Sequence, residues 1–265
     1  MTILHTIIKA KRESLKLQKL AIPVGKLRPR PGQYSMRNAL ESSPTGIIAE
    51  IKRAAPSSGS LNEAIDVAKL AKAYEQAGAA AISVLTDEAY FKGSLDDLRA
   101  VREAVSIPVL RKDFIIDEYQ LLEAADAGAD CVLLIAAALS VEEAIRLSFF
   151  AKHLGLEVLL EVHNQKELDS HGQVPCDLIG VNNRNLKEFS IDLNISKLLA
   201  TNLPTGPLPI SESGIRSAEE ILQLRQHGYR GFLIGSHFMR KANPAKALHA
   251  LLTRLSQKEP SSQKS

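Results

Sequence analysis

Short apolar runs recur along this chain from Gly46 onward, roughly every 20–35 residues, the length of one strand-plus-helix unit. They predict eight strands: Gly46–Lys52, Ala80–Thr86, Ile107–Lys112, Cys131–Ala136, Glu157–Val162, Leu178–Asn182, Leu208–Glu212 and Gly231–Gly235. Between them the spacing changes to a helical period. In "DVAKLAKAYEQAGA", Val67, Leu70, Ala71 and Tyr74 share one face; in "SLDDLRAVREAV", Leu95, Leu98, Val101 and Val105 do the same. Ser140 with Glu143, and Ser217 with Glu220, have capping-box spacing, and Gly155 and Gly228 close the helices that follow. The segments "EQAGAAAISVL", "ADAGADCVLLI" and "RQHGYRGFLIG" repeat one device, a helix-closing Gly with a short link into the next strand.

Strands this uniformly apolar are buried on both faces, which implies a parallel sheet. Eight such units predict an α/β fold, a closed (βα)8 TIM barrel. A doubly wound open sheet is the alternative, but no GxGxxG follows the first strand. The barrel is expected over residues 46–256. Residues 1–45 read as an N-terminal helical extension of one or two helices and a basic linker, and residues 257–265 as a disordered tail.

Charged residues interrupt the apolar runs mainly where they end. Burying a charge is costly unless it is paired or used, and the carboxyl ends of barrel strands are where such folds keep their chemistry. Glu50 and Lys52 close the first run, Lys112 the third and Glu161 the fifth. Asn182 and Arg184 follow the sixth, Glu212 and Ser213 the seventh, Gly235 and Ser236 the eighth. A Lys–Glu set in a partly desolvated mouth splits its pKa values, leaving a lysine to give a proton and a glutamate to take it. The bland alternative is a salt-bridged rim. Five strand ends contributing polar groups tell against it, because a barrel's stability face is the opposite one. Ser213-Gly214 and Gly235-Ser236, on the last two strands, have the small residues and placement of a phosphate cradle. Two helix caps with turn glycines would look similar.

Composition narrows the partners. The chain has 265 residues and a net charge of +3. That suits an anionic small molecule and is too weak to argue for nucleic acid. No apolar segment reaches the roughly 18 residues of a membrane span, and the N-terminus is too charged after Ile8 for a signal peptide. A cytoplasmic protein, monomeric and without a membrane or nucleic-acid partner, is expected. Cys131 and Cys176 lack CxxC or metal spacing and read as inert thiols. No histidine has metal-ligand spacing; His163 is expected to face outward or be satisfied, and His237 to sit in a first helical turn.

The motifs together resemble a known family. "IIAEIKRAAPSSG", "VLTDEAYFKGS", "IPVLRKDFIIDEYQ", "LLEVHNQKEL", "IGVNNRNL", "ISESGI" and "FLIGSHFMR" are similar to indole-3-glycerol-phosphate synthase, the tryptophan-pathway carboxy-lyase. The match runs in order through all the strand ends. It implies that the helical extension lies over the barrel mouth. It implies the substrate 1-(2-carboxyphenylamino)-1-deoxyribulose 5-phosphate, the products indole-3-glycerol phosphate, CO2 and water, and no cofactor or metal. By position, Lys112 matches the general acid for ring closure and Lys52 the lysine that contacts the carboxylate and assists dehydration. Glu50 matches its partner and base, Glu161 a further acid–base group, and Asn182 and Glu212 the residues that order hydroxyls and lysines. Arg184 matches an arginine near the substrate carboxylate. Ser213, Gly214, Gly235 and Ser236 match the phosphate cradle, and Phe91, Phe114, Leu133 and Leu186 the apolar walls. One position departs from the family pattern: Ala55 stands where a phosphate-reaching serine is usual. Weaker binding is expected unless Ser57 or Ser58 substitutes, since a hydrogen bond to a charged group is worth roughly 1.5–3 kcal/mol. Two competitors are weaker. An isomerase of the Cys/Asp type does not fit Cys131, which comes early in its strand, and a degenerate ligand-binding barrel has only Ala55 in its favour.

Overall fold

The computed structural model describes residues 3–55, 59–60, 64–186 and 188–258. Eight parallel strands close a barrel: β1 (Ile47–Ile51), β2 (Ala81–Leu85), β3 (Val109–Lys112), β4 (Cys131–Ile135), β5 (Glu157–Val162), β6 (Leu178–Asn182), β7 (Leu208–Glu212) and β8 (Gly231–Ile234). The ring is complete because β1 pairs with both neighbours, Ile47 opposite Phe232 and Ile48 opposite Ala81. The expected strands are all present. Their ends move by at most two residues: Gly46, Lys52, Ala80, Thr86, Ile107, Pro108, Ala136 and Gly235 fall just outside, in the connections. Gly46 has φ +67°, and a side chain there would collide with the Arg230 carbonyl, so the entry to β1 needs glycine.

The outer helices bury the faces their spacing marks. In α3 (Val67–Ala77) the buried residues are Val67, Leu70, Ala71 and Tyr74. Both capping boxes form, Ser140 with Glu143 at the start of α7 (Val141–His153) and Ser217 with Glu220 at the start of α10 (Ala218–Gln226). Two short elements went unforeseen. A two-residue hairpin, Ala54–Ala55 against Gly59–Ser60, leaves β1, and α4 (Glu88–Phe91) precedes α5 (Leu95–Ala104). Ser57 and Ser58 lie outside the described residues. The last helix, Pro244–Lys258, runs two residues into the segment expected to be a tail; residues 259–265 lie outside the described set.

Two N-terminal helices treat the barrel's ends differently. The helix α2 (Met36–Ser42) plugs the bottom, where Met36 and Leu40 join Ile48, Leu178, Ile210 and Leu233 in the barrel's interior cluster. Its first turn is held by Glu157, which accepts from Ser35 Oγ (2.5 Å) and from the backbone N–H groups of Met36 (2.7 Å) and Arg37 (3.0 Å). The helix α1 (Ile3–Ala21) lies across the mouth, with Ile3, Leu4 and Ile7 on the cavity. Its Lys11 bridges Asp87 (2.6 Å) and Asp113 (2.8 Å) in the loops after β2 and β3. Among the described residues no helix is long and apolar enough to cross a membrane.

Candidate active site

A cavity of about 530 Å³ opens at the carboxyl ends of the strands. Glu50, Lys52, Lys112, Glu161, Asn182, Arg184, Ser213, Gly214, Gly235 and Ser236 line it, and so do Phe91, Phe114, Leu133 and Leu186. Glu212 is the one anticipated residue off the cavity wall. It sits just beneath, buried, accepting from Lys112 Nζ at 2.5 Å.

The charges form two linked pairs. Lys52 Nζ donates to Glu50 at 2.5 Å, and Lys112 Nζ bridges Glu212 and Glu161, the latter at 3.2 Å. Burial works against the Lys112 ammonium, but Glu212, Glu161 and Glu50 together outweigh it and raise its pKa. Burial likewise opposes ionisation of Glu50 and Glu161. For Glu50 the nearby Lys52 and Lys112, and for Glu161 Lys112 and His163, overcome that cost and hold both pKa values low. Glu212 goes the other way: burial, with Glu161 adding repulsion, pushes it up to about 7 despite Lys112. Three carboxylates thus share two lysines, and one of them is poised to hold a proton near neutrality.

Two glycines make room for these carboxylates. A Cβ on Gly235 would strike the Glu50 carboxylate, and one on Gly180, inside β6, would strike Glu212 Oε1. Gly235 therefore has a steric task of its own, and Gly180 is a site residue that sequence reading missed. So is Asn183. Fully buried beside Asn182, its amide donates to the carbonyls of Glu212 (3.0 Å) and Ser213 (3.1 Å), fixing the loop after β7. There Ser213 (φ 67°) and Gly214 (φ 88°) are consecutive left-handed residues. That region suits glycine and is costly for a residue carrying a Cβ. For serine it carries strain of order 1 kcal/mol or more, which the Asn183 bonds offset.

The apolar half of the cavity is wider than foreseen. Phe91 and Phe114 meet at a ring-centroid distance of 6.3 Å, and Ile3, Leu4 and Ile7 from α1 and Phe189 and Ile191 from the β6 loop complete the wall. Arg216, Arg240 and Lys241 add positive charge beside the Ser213 and Ser236 loops, while burial and the neighbouring Lys241 and Arg216 hold His237 toward its neutral form. His237 sits in the first turn of its helix as expected, the short α11 (Ser236–Met239). His163 had two expected placements, outward or satisfied. It does not face outward but is buried between two carboxylates, Glu161 and Glu167; an acceptor on each side makes the interior cheaper for it than its place past the end of β5 suggests. Cys131 is buried at the start of β4 and Cys176 is half-buried; burial raises both thiols, Cys176 to about 12. Among the described residues no group of three His, Cys, Asp or Glu side chains could hold a metal ion.

A parallel barrel with lysines and glutamates converging at one mouth defines a (βα)8-barrel enzyme. Comparison with known proteins is specific about which. The family model "Indole-3-glycerol phosphate synthase" matches residues 4–251. A protein of that name from Bacteroides thetaiotaomicron is 47% identical over 254 residues, covering 94% of this chain and 97% of its own. Another from Dechloromonas aromatica is 42% identical, covering 94% and 98%. The chain belongs to the indole-3-glycerol phosphate synthase family, and is a carboxy-lyase of tryptophan biosynthesis acting on a phosphorylated small molecule. Among solved structures, tryptophan synthase subunit alpha from Legionella pneumophila superposes with a TM-score of 0.60 at 16% identity, covering 84% of this chain and 97% of that one. That likeness supports the barrel fold alone.

Proposed function

We propose that the mouth residues carry out ring closure, decarboxylation and dehydration of 1-(2-carboxyphenylamino)-1-deoxyribulose 5-phosphate, each in a separate role. The observation that carries this reading is Lys112, an ammonium kept charged by three carboxylates and facing a cavity with one apolar and one anion-binding side. Phe91, Phe114, Leu133 and Leu186 hold the aromatic ring, and the Ser213-Gly214 and Gly235-Ser236 backbone takes the phosphate. Arg184, whose cationic form is disfavoured by burial and favoured by Glu50, faces the ring carboxylate.

In the first step the ring carbon bearing the carboxylate attacks the keto carbon. Lys112 protonates the keto oxygen as negative charge develops on it. The new bond leaves the ring dearomatised. Loss of CO2 returns the electron pair to the ring. Dehydration follows: Lys52 gives a proton to the departing hydroxyl, the adjacent methylene carbon beside the nitrogen loses a proton to Glu50, with Glu161 as a further base, and the indole keeps its N–H. Asn182 orients the hydroxyls and Glu212 holds Lys112. We also read the chain as a cytoplasmic monomer with no cofactor, metal or nucleic-acid partner. A barrel that binds without turnover is not favoured, because both acid–base pairs are assembled.

The test is formation of indole-type fluorescence from the synthetic substrate. Wild type should turn over, and Lys112→Ala should lose roughly 10²–10⁴-fold in kcat, the usual worth of a positioned acid. A loss below about tenfold would remove Lys112 from the chemistry.

A further inference from the structure

His163 enters none of the steps above, yet it is one of the more constrained side chains near the mouth. It follows β5 directly and is buried. Glu167, one turn on in α8 (Gln165–His171), fixes one side of the ring: Glu167 Oε2 accepts the His163 backbone N–H at 2.8 Å and lies 3.0 Å from Nδ1. A carboxylate oxygen accepts, so Nδ1 carries a proton. The other ring nitrogen, Nε2, faces Glu161 Oε1 at 3.3 Å. That is an ion-pair approach without hydrogen-bond alignment, and Nε2 has no other partner.

A neutral imidazole has a single N–H proton. With Nδ1 holding it, Nε2 would turn a lone pair toward a buried carboxylate oxygen, acceptor against acceptor. A second proton on the ring removes that conflict. Glu161 has its other oxygen, Oε2, on Lys112. The result is a continuous chain: Glu167, His163, Glu161, Lys112, Glu212. We propose that His163 is a positioning residue of the active site, an imidazolium clamped between Glu167 and Glu161 that keeps Glu161 ionised and aimed at Lys112.

The charges around the ring agree. Glu167 from α8, Glu161 from β5 and Glu212 from β7 all favour the imidazolium; burial opposes it, Lys112 from β3 lies on the far side of Glu161, and the net shift is upward. His163 in turn helps hold Glu161 low.

This rests on the acid–base reading of Glu161, so two readouts are needed. The first is the pH dependence of kcat for wild type and His163→Gln. The variant should keep KM little changed, and its acidic limb should move up by about half a pH unit, a loss of about threefold on the acidic side, because Glu161 loses the imidazolium and keeps only Lys112. A profile superimposable on wild type, whatever the absolute rate, would overturn the proposal. Should His163→Gln fail to fold, Glu167→Gln keeps the ring and should shift the limb the same way by less; no shift there overturns it equally. The second readout needs no activity. In an NMR titration of the histidine ring protons, the His163 signal should titrate at lower pH in Glu161→Gln than in wild type, and an unchanged midpoint would refute the clamp. Full activity in Glu161→Gln would sink the acid–base reading of Glu161 while the ring titration still decides the clamp.

Discussion

The two ends of the barrel both bury carboxylates, but they use them differently. At the bottom, Asp130 accepts the backbone N–H groups of Gln33 (2.7 Å), Tyr34 (2.9 Å) and Val109 (2.8 Å), and Arg102 at 2.6 Å. Glu157 accepts three donors from the start of α2. These oxygens are saturated largely by main chain, which cannot move without the fold moving. At the mouth, Glu50, Glu161 and Glu212 are paired mainly with lysine side chains, and Glu212 Oε1 and His163 Nε2 are buried without hydrogen-bond partners. The bottom's arrangement contributes stability. The mouth's arrangement costs stability and leaves protons free to move, as expected where function sets the residue choice.

The sharpest way to break this contrast is Asp130→Ala. Three backbone donors and Arg102 would lose their acceptor together in a buried site. Removing one partner of a buried ion pair costs about 3–5 kcal/mol. Urea unfolding should show a loss of that order, while kcat of the folded fraction stays within about twofold of wild type, since additive effects hold between distant sites. A stable variant, or one whose kcat collapsed while folded, would contradict the division of labour.

At the mouth the opposite signature is expected from Glu212→Gln. The volume is kept and the charge is lost. Lys112 would lose its nearest anion, and kcat should fall about 10²-fold. Stability should hardly fall, and its pH dependence should change in a defined direction. The Glu212 pKa is raised to about 7 from 4.5. The folded protein therefore keeps this proton over a range where the unfolded chain has lost it. That contribution is complete below the unfolded value and disappears as pH rises through about 7. Wild type should therefore lose more stability than Glu212→Gln between about pH 5 and about pH 8, as urea midpoints at each pH would report. Equal losses would mean that Glu212 is ionised throughout and that the mouth carries no strain of this kind.

Much of this was legible in the sequence for a simple reason. Strands buried on both faces have to be apolar throughout, so a charge such as Glu161 stands out against its run. The periodicity of α3 and the capping serines are local signals, and local signals survive in one dimension. Pairings were not legible. Lys112 meets Glu212 from 100 residues away, a contact that only barrel closure creates. Lys11 sits among other basic residues on an amphipathic helix, and nothing local separates this partly buried lysine from its exposed neighbours. The need for glycine at Gly180 depends on a carboxylate from the adjacent strand. For His163 a signal did exist: Glu167 stands one helical turn ahead, at the spacing that lets the two side chains meet.

The two N-terminal helices allow a finer test of the same contrast. Removing α2 from the bottom would open the core, because Met36 and Leu40 are part of it. The helix α1 is attached to the mouth by a different kind of bond. Lys11 is its partly buried ionic link to the loops after β2 and β3, the more exposed Lys19 adding a bond to Asp117 (2.7 Å), and burial of the Lys11 ammonium is outweighed by Asp113 and Asp87, which raise its pKa. Asp113 has other partners, Arg111 at 3.0 Å and Thr86 at 2.8 Å, so Lys11→Met does not leave it unpaired. The change should loosen α1 while leaving the barrel folded. Ile3, Leu4 and Ile7 would then contribute less to the cavity wall. A binding loss of about 1.4 kcal/mol corresponds to a tenfold rise in KM, and that is the expected size, with kcat changed less than about threefold. Lys11→Arg, which keeps the charge, should recover most of the loss. If KM stayed at the wild-type value in Lys11→Met, α1 would be a structural strap like α2, and the difference between the two ends would lie in the carboxylates alone.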